Sequence, residues 1–334
     1  MGIMLIVGGF AICMALIIYS GSRLSIYGDM IAELTGMGKV WFGLIMMAAV
    51  TSLPELFNGI SSILIVKVPQ IAVGDIMGSC AFNLLILAVL DFMVPDKPLS
   101  SVVTKSHVLA GFISIILITH AIVAIVFGEQ FPIFAWFKSF SVLLIILYLL
   151  SVRIIFKNER KIHFNSEIPI LPHKIKNCTL RQATKRYAAF SLLVIIGAVA
   201  LPFFANKLAS EFGLNRSFVG TFFVGITTSL PELVVAIASV KIGSIDIAVG
   251  NLFGSNIFNM LILAIDDLLY REGNLLFEAD LSHALSGLVT LVMTSVVGIG
   301  ILYSSGSKRF ALGIDAIILI VLYVSLIVAL YNMG

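Results

Sequence analysis

The hexapeptide Thr-Ser-Leu-Pro-Glu-Leu occurs twice in this chain, as Thr51-Ser52-Leu53-Pro54-Glu55-Leu56 and as Thr228-Ser229-Leu230-Pro231-Glu232-Leu233, each time inside a long apolar segment. Each copy is followed by a second apolar segment that carries glycines and a polar stripe. These stripes are Gly74-Asp75-Ile76-Met77-Gly78-Ser79-Cys80-Ala81-Phe82-Asn83 and Gly250-Asn251-Leu252-Phe253-Gly254-Ser255-Asn256-Ile257-Phe258-Asn259. A carboxylate in the middle of an apolar span is expensive and marks a functional site by default. Any fold open to this chain has to hold Glu55 and Glu232.

The surroundings of the two glutamates decide the fold class. Of 334 residues, 60% are hydrophobic and 12% charged, whereas a soluble domain carries roughly 25% charged residues. Ten segments reach the length of about 20 residues that a bilayer-crossing helix needs. They fall near 3–26, 39–66, 70–93, 106–127, 132–151, 187–206, 217–241, 245–269, 282–303 and 310–331. The expected fold is an all-α polytopic membrane protein. The N-terminal apolar run lacks the basic flank and small-residue cleavage pattern of a signal peptide, so it is expected to remain as the first span.

The longest polar interval, 152–186, holds Arg153, Lys157, Arg160, Lys161, Lys174, Lys176, Arg181, Lys185 and Arg186 against Glu159 and Glu167. It reads as a cytoplasmic linker between a first half, 1–151, and a second half, 187–334. Placing it inside puts the loops with Lys39, with Lys97 and Lys105, with Lys241, and with Lys308 and Arg309 inside as well. The acidic loop with Asp266, Asp267, Glu272, Glu278 and Asp280 falls outside, as do both termini.

The two halves repeat. Gly36, Gly43, Thr51, Ser52, Pro54 and Glu55 recur at Gly213, Gly220, Thr228, Ser229, Pro231 and Glu232, and Gly74, Gly78, Ser79 and Asn83 recur at Gly250, Gly254, Ser255 and Asn259. Five spans per half is an odd number, so the second half enters the membrane upside down. The result is a pair of inverted five-helix repeats with a site near the midplane, a layout that presents one site to both faces.

Local chemistry points to a cation. Pro54 and Pro231 each deprive a helix of a backbone donor directly before the glutamate, so both helices are expected to break there. Helical spacing places Thr51, Ser52, Glu55, Asn58 and Ser62 on one face, and Thr228, Ser229, Glu232 and Ser239 on its counterpart. Asp75, Ser79 and Asn83 follow one another at i, i+4 and i+8, as do Asn251, Ser255 and Asn259. The pairs Gly74/Gly78 and Gly250/Gly254 allow close helix approach. All of these donors are oxygens, which suits hard cations such as calcium or sodium and not zinc or copper. Two ionised glutamates carry a charge of −2, and one calcium ion or two or more sodium ions would neutralise it. Competition for the same carboxylates yields exchange, with strict coupling if the empty, charged site cannot switch sides.

These paired T-S-L-P-E-L and G-S-x-x-x-N motifs, in two inverted halves of five spans, resemble the alpha repeats of sodium/calcium exchangers in the cation/calcium exchanger superfamily. The resemblance implies a secondary antiporter that exchanges calcium for sodium by alternating access, in a cell membrane. It also implies that Glu55 and Glu232 are the central calcium ligands, shared with sodium. Oxygens of Thr51, Ser52, Thr228, Ser229, Ser79 and Ser255 would assist, with the side chains of Asn83 and Asn259 and backbone carbonyls near Ala48 and Gly225. The chain departs from the pattern in three ways. Val50 and Thr227 stand where many relatives have glycine. Asp75 stands where asparagine is usual, either as a third carboxylate near an ion entrance or, the preferred reading, as a cap at the interface. Asn259 stands where potassium-dependent relatives have aspartate, which favours plain sodium/calcium exchange.

The alternatives are a calcium/proton or other divalent exchanger and, further off, a cation channel, whose pore has no need of a duplicated inverted site. Enzyme chemistry lacks support: Ala72 precludes the G-x-G-D signature, H-E-x-x-H is absent and no serine–histidine pairing is evident. Cys13, Cys80 and Cys178 have no metal-type spacing. No cofactor, nucleic acid or obligatory protein partner is implied beyond the transported ions and the lipid bilayer. His120 is read as a packing or hydrogen-bonding residue, Asp315 as an interfacial partner of Lys308 or Arg309, and the Asp266–Asp280 stretch as a solvated surface.

Overall fold

A computed structural model describes residues 3–130, 138–165, 178–211, 225–303, 308 and 311–333. Gly213, Gly220, the middle of the linker with Pro169 and Pro172, Arg309 and the first part of the expected seventh span lie outside the described residues. Within them the secondary structure is entirely helical, without a strand. The spanning helices are α1 (Ile3–Thr35), α2 (Lys39–Ile65), α3 (Pro69–Met93), α4 (His107–Phe127), α5 (Ser139–Asn165), α6 (Leu180–Glu211), α7 (Leu230–Lys241), α8 (Ile245–Leu269), α9 (Leu281–Leu302) and α10 (Ile314–Met333). All but α7 are, as described, long and apolar enough to cross a bilayer.

Helix ends depart from the expected spans in one consistent way. α1 runs nine residues past the expected end, to Thr35, α5 continues to Asn165, and α6 begins at Leu180. Hydropathy marks where the lipid ends, whereas a helix continues until its backbone meets a stop signal. For α1 that signal is Gly36, which adopts φ 68° and returns its N–H to Glu33 O at 3.3 Å.

Burial sorts the helices into layers. α3 and α8 are the most enclosed, while α5 and α10 present most of their surface outward. The outward face of α10 carries Val321, Val324 and Val328, all exposed, an apolar surface that suits lipid. α1 and α6, first helices of their halves, pack along one another, with Tyr27 stacked on Phe190 at 5.7 Å between ring centres.

The centre is held by close backbone contact. α8 crosses the N-terminal half of α2 at Gly43, Gly250 and Gly254. A Cβ added to Gly43 would sit 2.6 Å from Ile247 O, and one on Gly250 2.9 Å from Val40 O. One on Gly254 would overlap the Leu44 carbonyl. Only glycine permits this approach. Beside it, Phe42–Met47 winds as a π-helix, a local distortion frequent at functional sites.

The two halves also anchor themselves by matched ion pairs. Near the end of α3, Asp91 accepts Leu99 N at 2.6 Å and Gly313 N at 2.7 Å and pairs with Lys308 at 3.1 Å. Near the end of α8, Asp267 accepts Leu275 N at 2.6 Å and the Ser141 hydroxyl at 2.6 Å and pairs with Lys138 at 3.7 Å. In each case the lysine also donates to carbonyls at the helix end, where the backbone leaves acceptors unpaired. Lys308 therefore belongs to Asp91 and not to Asp315, which overturns one of the two partners expected for Asp315; the other, Arg309, lies outside the described residues. Proximity along the chain is a poor guide to which carboxylate a buried lysine meets.

Candidate functional site

Both proline-bearing helices break where the sequence indicates. Ser52 has φ −90° and ψ 7°, and Ser229 has φ −85° and ψ 8°. Helix resumes at Leu53 and at Leu230, with the proline in its first turn, the position where a missing N–H is harmless. Glu55 and Glu232 thus lie in the first turn of a helical segment, near its positive end, where an anion is favoured.

The serines at the two breaks reach across the molecule. Ser52 Oγ donates to Glu232 Oε1 at 3.1 Å, and Ser229 Oγ lies 3.1 Å from Glu55 Oε1. Each glutamate is therefore held by the broken helix of the other half. Ser255 Oγ adds a contact to Glu232 Oε1 at 3.2 Å, and Ser79 Oγ lies 2.9 Å from Ser229 Oγ. Thr51 Oγ1 lies 3.1 Å from Asn251 Oδ1 and Thr228 Oγ1 2.9 Å from Asp75 Oδ1, a further pair related by the repeat.

One layer further along α3 and α8, Asn83 Nδ2 donates to Asn256 Oδ1 at 3.0 Å and Asn256 Nδ2 to Cys80 O at 3.1 Å. Asn259 Nδ2 is turned to the Cys80 sulfur at 3.7 Å. The amide nitrogens are thereby engaged, while the amide oxygens of Asn83 and Asn259 are left over. Glu55, Glu232, Thr51, Ser52, Thr228, Ser229, Ser79, Ser255, Asn83 and Asn259 are all buried. Ala48 O accepts the Ser52 N–H at 2.9 Å, so that carbonyl serves the helix break, and Gly225 opens the short turn Gly225–Thr228 ahead of α7.

Four of these groups end in an oxygen that is buried without a hydrogen-bond partner: Glu55 Oε2, Glu232 Oε2, Asn83 Oδ1 and Asn259 Oδ1. They form two pairs related by the repeat. The two glutamates lie within electrostatic reach of one another. Desolvation costs several kcal/mol per ion, while a hydrogen bond to a charged group returns about 1.5–3 kcal/mol. One or two hydroxyls per glutamate do not offset burial plus mutual repulsion. The donor set fits a hard cation. Among the described residues no three His, Cys, Asp or Glu side chains gather as metal ligands, so amide, hydroxyl and backbone oxygens complete any coordination.

Asp75 corrects the sequence reading. It is 1% exposed and bound by Asn58 Nδ2 at 2.7 Å and Thr228 Oγ1 at 2.9 Å. α3 begins six residues earlier at Pro69, so Asp75 caps nothing; its partners on α2 and before α7 draw it inward. The acidic stretch after α8 is corrected too, since Asp266 and Asp267 are buried inside that helix. Sequence reasoning missed Asn256 and Cys80 as the bridge between α3 and α8. Three asparagines in a single apolar span were the available signal. His120 bonds Phe140 O at 2.9 Å, a packing role as expected.

The family described as "Sodium/calcium exchanger protein" matches residues 5–157 and 187–332. Among curated relatives, the inner membrane protein YrbG of Escherichia coli (strain K12) is 27% identical over 253 residues, covering 74% of each chain. The sodium/calcium exchanger MaX1 of Methanosarcina acetivorans is 32% identical over 139 residues, 41% of this chain and 37% of its own. Among solved structures, the sodium-calcium exchanger NCX_Mj superposes with a TM-score of 0.76 at 22% identity, over 98% of this chain and 100% of that one.

Proposed function

The chain belongs to the sodium/calcium exchanger protein family, and from that premise we propose that it exchanges calcium for sodium by alternating access at a midplane site built by both repeats. The coarser statement stands by itself: this is an integral, multi-pass membrane protein and a cation/calcium exchange antiporter, a transporter and not an enzyme. The observation that carries the finer reading is the set of four buried, partnerless oxygens, two carboxylate and two amide, supplied symmetrically by α2, α7, α3 and α8. In this reading Glu55, Glu232, Asn83 and Asn259 contact calcium directly. Thr51, Ser52, Thr228, Ser229, Ser79, Ser255 and the carbonyls of Ala48 and Gly225 add oxygens for sodium.

The physical logic is charge balance. Two carboxylates accept one divalent or two or more monovalent ions, and the unneutralised site is too costly to carry through a closed, low-dielectric intermediate. Each half, 1–151 and 187–334, adopts in turn the arrangement the other has, so the site opens to alternate faces. The cytoplasmic linker is 152–186, with both termini outside and the chain in the cell membrane; the distribution of basic loops supports this orientation.

The test is calcium flux into proteoliposomes with sodium, potassium and proton gradients imposed one at a time. Uptake that follows an outward sodium gradient alone is expected. Uptake driven by a pH gradient and indifferent to sodium would replace this reading with calcium/proton exchange. Current without any counter-ion requirement would replace it with a channel.

A further inference from the structure

Among the described residues, four carboxylates are buried around the centre of the molecule: Glu55, Glu232, Asp75 and Asp266. Three of them receive donors. Glu55 and Glu232 take the serine hydroxyls described above, and Asp75 takes Asn58 and Thr228 with Ser79 at 3.5 Å. Asp266 takes none. It is 0% exposed, and both of its oxygens lack a hydrogen-bond partner. It also lies in the last turn of α8, near the negative end of the helix dipole, which disfavours an anion. Its neighbour Asp267, with a lysine, a hydroxyl and a backbone N–H, shows how this protein treats a carboxylate meant only for structure.

The place of Asp266 is specific. Its carboxylate fills space that a glycine leaves open: a Cβ on Gly59 would sit 2.7 Å from Oδ1 and would collide with Oδ2. Gly59 is next to Asn58, the residue that holds Asp75, and is one helical turn beyond Glu55. Asp75 lies within electrostatic reach of Asp266. Asp75 is in the second turn of α3 and Asp266 in the last turn of α8, so both sit on the same side of the Glu55/Glu232 layer. The repeat has no counterpart on the other side. There Asn251 stands for Asp75, Leu90 for Asp266, Val235 for Asn58 and Ala236 for Gly59.

A donorless buried carboxylate beside a second carboxylate is stabilised by a cation. We propose that Asp266 and Asp75, with the side-chain oxygen of Asn58, form a second calcium site, separate from the midplane layer and placed between it and one membrane face. Two carboxylates balance one divalent ion, and the all-oxygen donors suit calcium. The site is a staging position on one side only, so the two faces of the protein handle the ion differently. The proposal does not depend on which counter-ion drives transport.

The experiment is equilibrium binding of radioactive calcium to the purified full-length chain in nanodiscs. In the Glu55→Gln/Glu232→Gln double variant, with the midplane layer disabled, one bound calcium per chain is expected to remain. Adding Asp266→Asn should weaken that binding by about tenfold or more, because affinity follows ligand charge. Asp75→Asn, which installs the residue found on the other side, should do the same and covers the case in which the Asp266 variant misfolds. Binding that is absent from the double variant, or unchanged by both aspartate replacements, overturns the proposal. Sodium-driven flux of the wild-type chain is read separately, so failure of coupling and failure of this site are distinguishable.

Discussion

The centre of the molecule and its two flanks obey different rules. In the central layer the halves match where it counts: Ser52 on Glu232 answers Ser229 on Glu55, and the free oxygens of the glutamates and of Asn83 and Asn259 come in pairs. On the flanks the frame is kept but the chemistry diverges. The start of α8 is tied to the start of α4 through Asp246, which takes Thr104 N at 2.8 Å and His107 Nε2 at 3.0 Å. The corresponding tie between α3 and α9 uses the neutral Gln70, with Asp280 N at 3.1 Å and His283 Nε2 at 3.2 Å. Under the proposed alternating access, a site that looks the same from both faces needs symmetry only where the ion sits. The flanks see different solutions and are free to differ.

This contrast gives expectations that fall in order of size. Replacing Glu55 or Glu232 with glutamine should reduce calcium flux to background, and by the same amount, since symmetry leaves neither glutamate subordinate. Unequal losses would break the equivalence of the halves. The lysine anchors should be unequal. Lys308→Ala strips a nearly enclosed cation (side chain 5% exposed) from Asp91, whereas Lys138 (21%) lies further from Asp267. Breaking the first should cost about 3–5 kcal/mol and the second clearly less, read as apparent Tm in detergent.

Packing should come next. Gly254→Ala forces a methyl into the Leu44 backbone and should cost about 1–3 kcal/mol. Gly298→Ala in α9, where a Cβ meets nothing within 4 Å, should gain roughly 0.5–1 kcal/mol from helix propensity. The most conservative replacement in chemistry is Asp246→Gln, which copies Gln70 into the other flank. It exchanges charge-assisted bonds for neutral ones and should cost about 1–2 kcal/mol in Tm terms, with flux retained. Lost flux would show that this flank does more than hold helices together.

How much of this was legible in the sequence follows from which interactions are local. The repeat, the helix breaks and the glutamates could be read because a proline and a carboxylate act within one turn of themselves. The residues of the proposed cage share helix faces, so spacing along single helices singles them out. Partnership between distant segments left no such trace, so Asp91 with Lys308 and Asn256 with Cys80 emerge only from the fold. Asp266 reads as loop acidity in the sequence because it adjoins a charged neighbour near a span end, whereas the fold buries it inside α8. Its position seven residues after Asn259, on the face that Asn251 and Ser255 define, was the overlooked signal.

The most direct measurement is calcium binding at equilibrium to Glu55→Gln, Glu232→Gln and the double variant, each compared with wild type. If the two glutamates are halves of one site, each single replacement removes as much bound calcium as both together. If each single variant loses only part of what the double variant loses, the glutamates serve two independent sites, and the shared midplane cage is wrong.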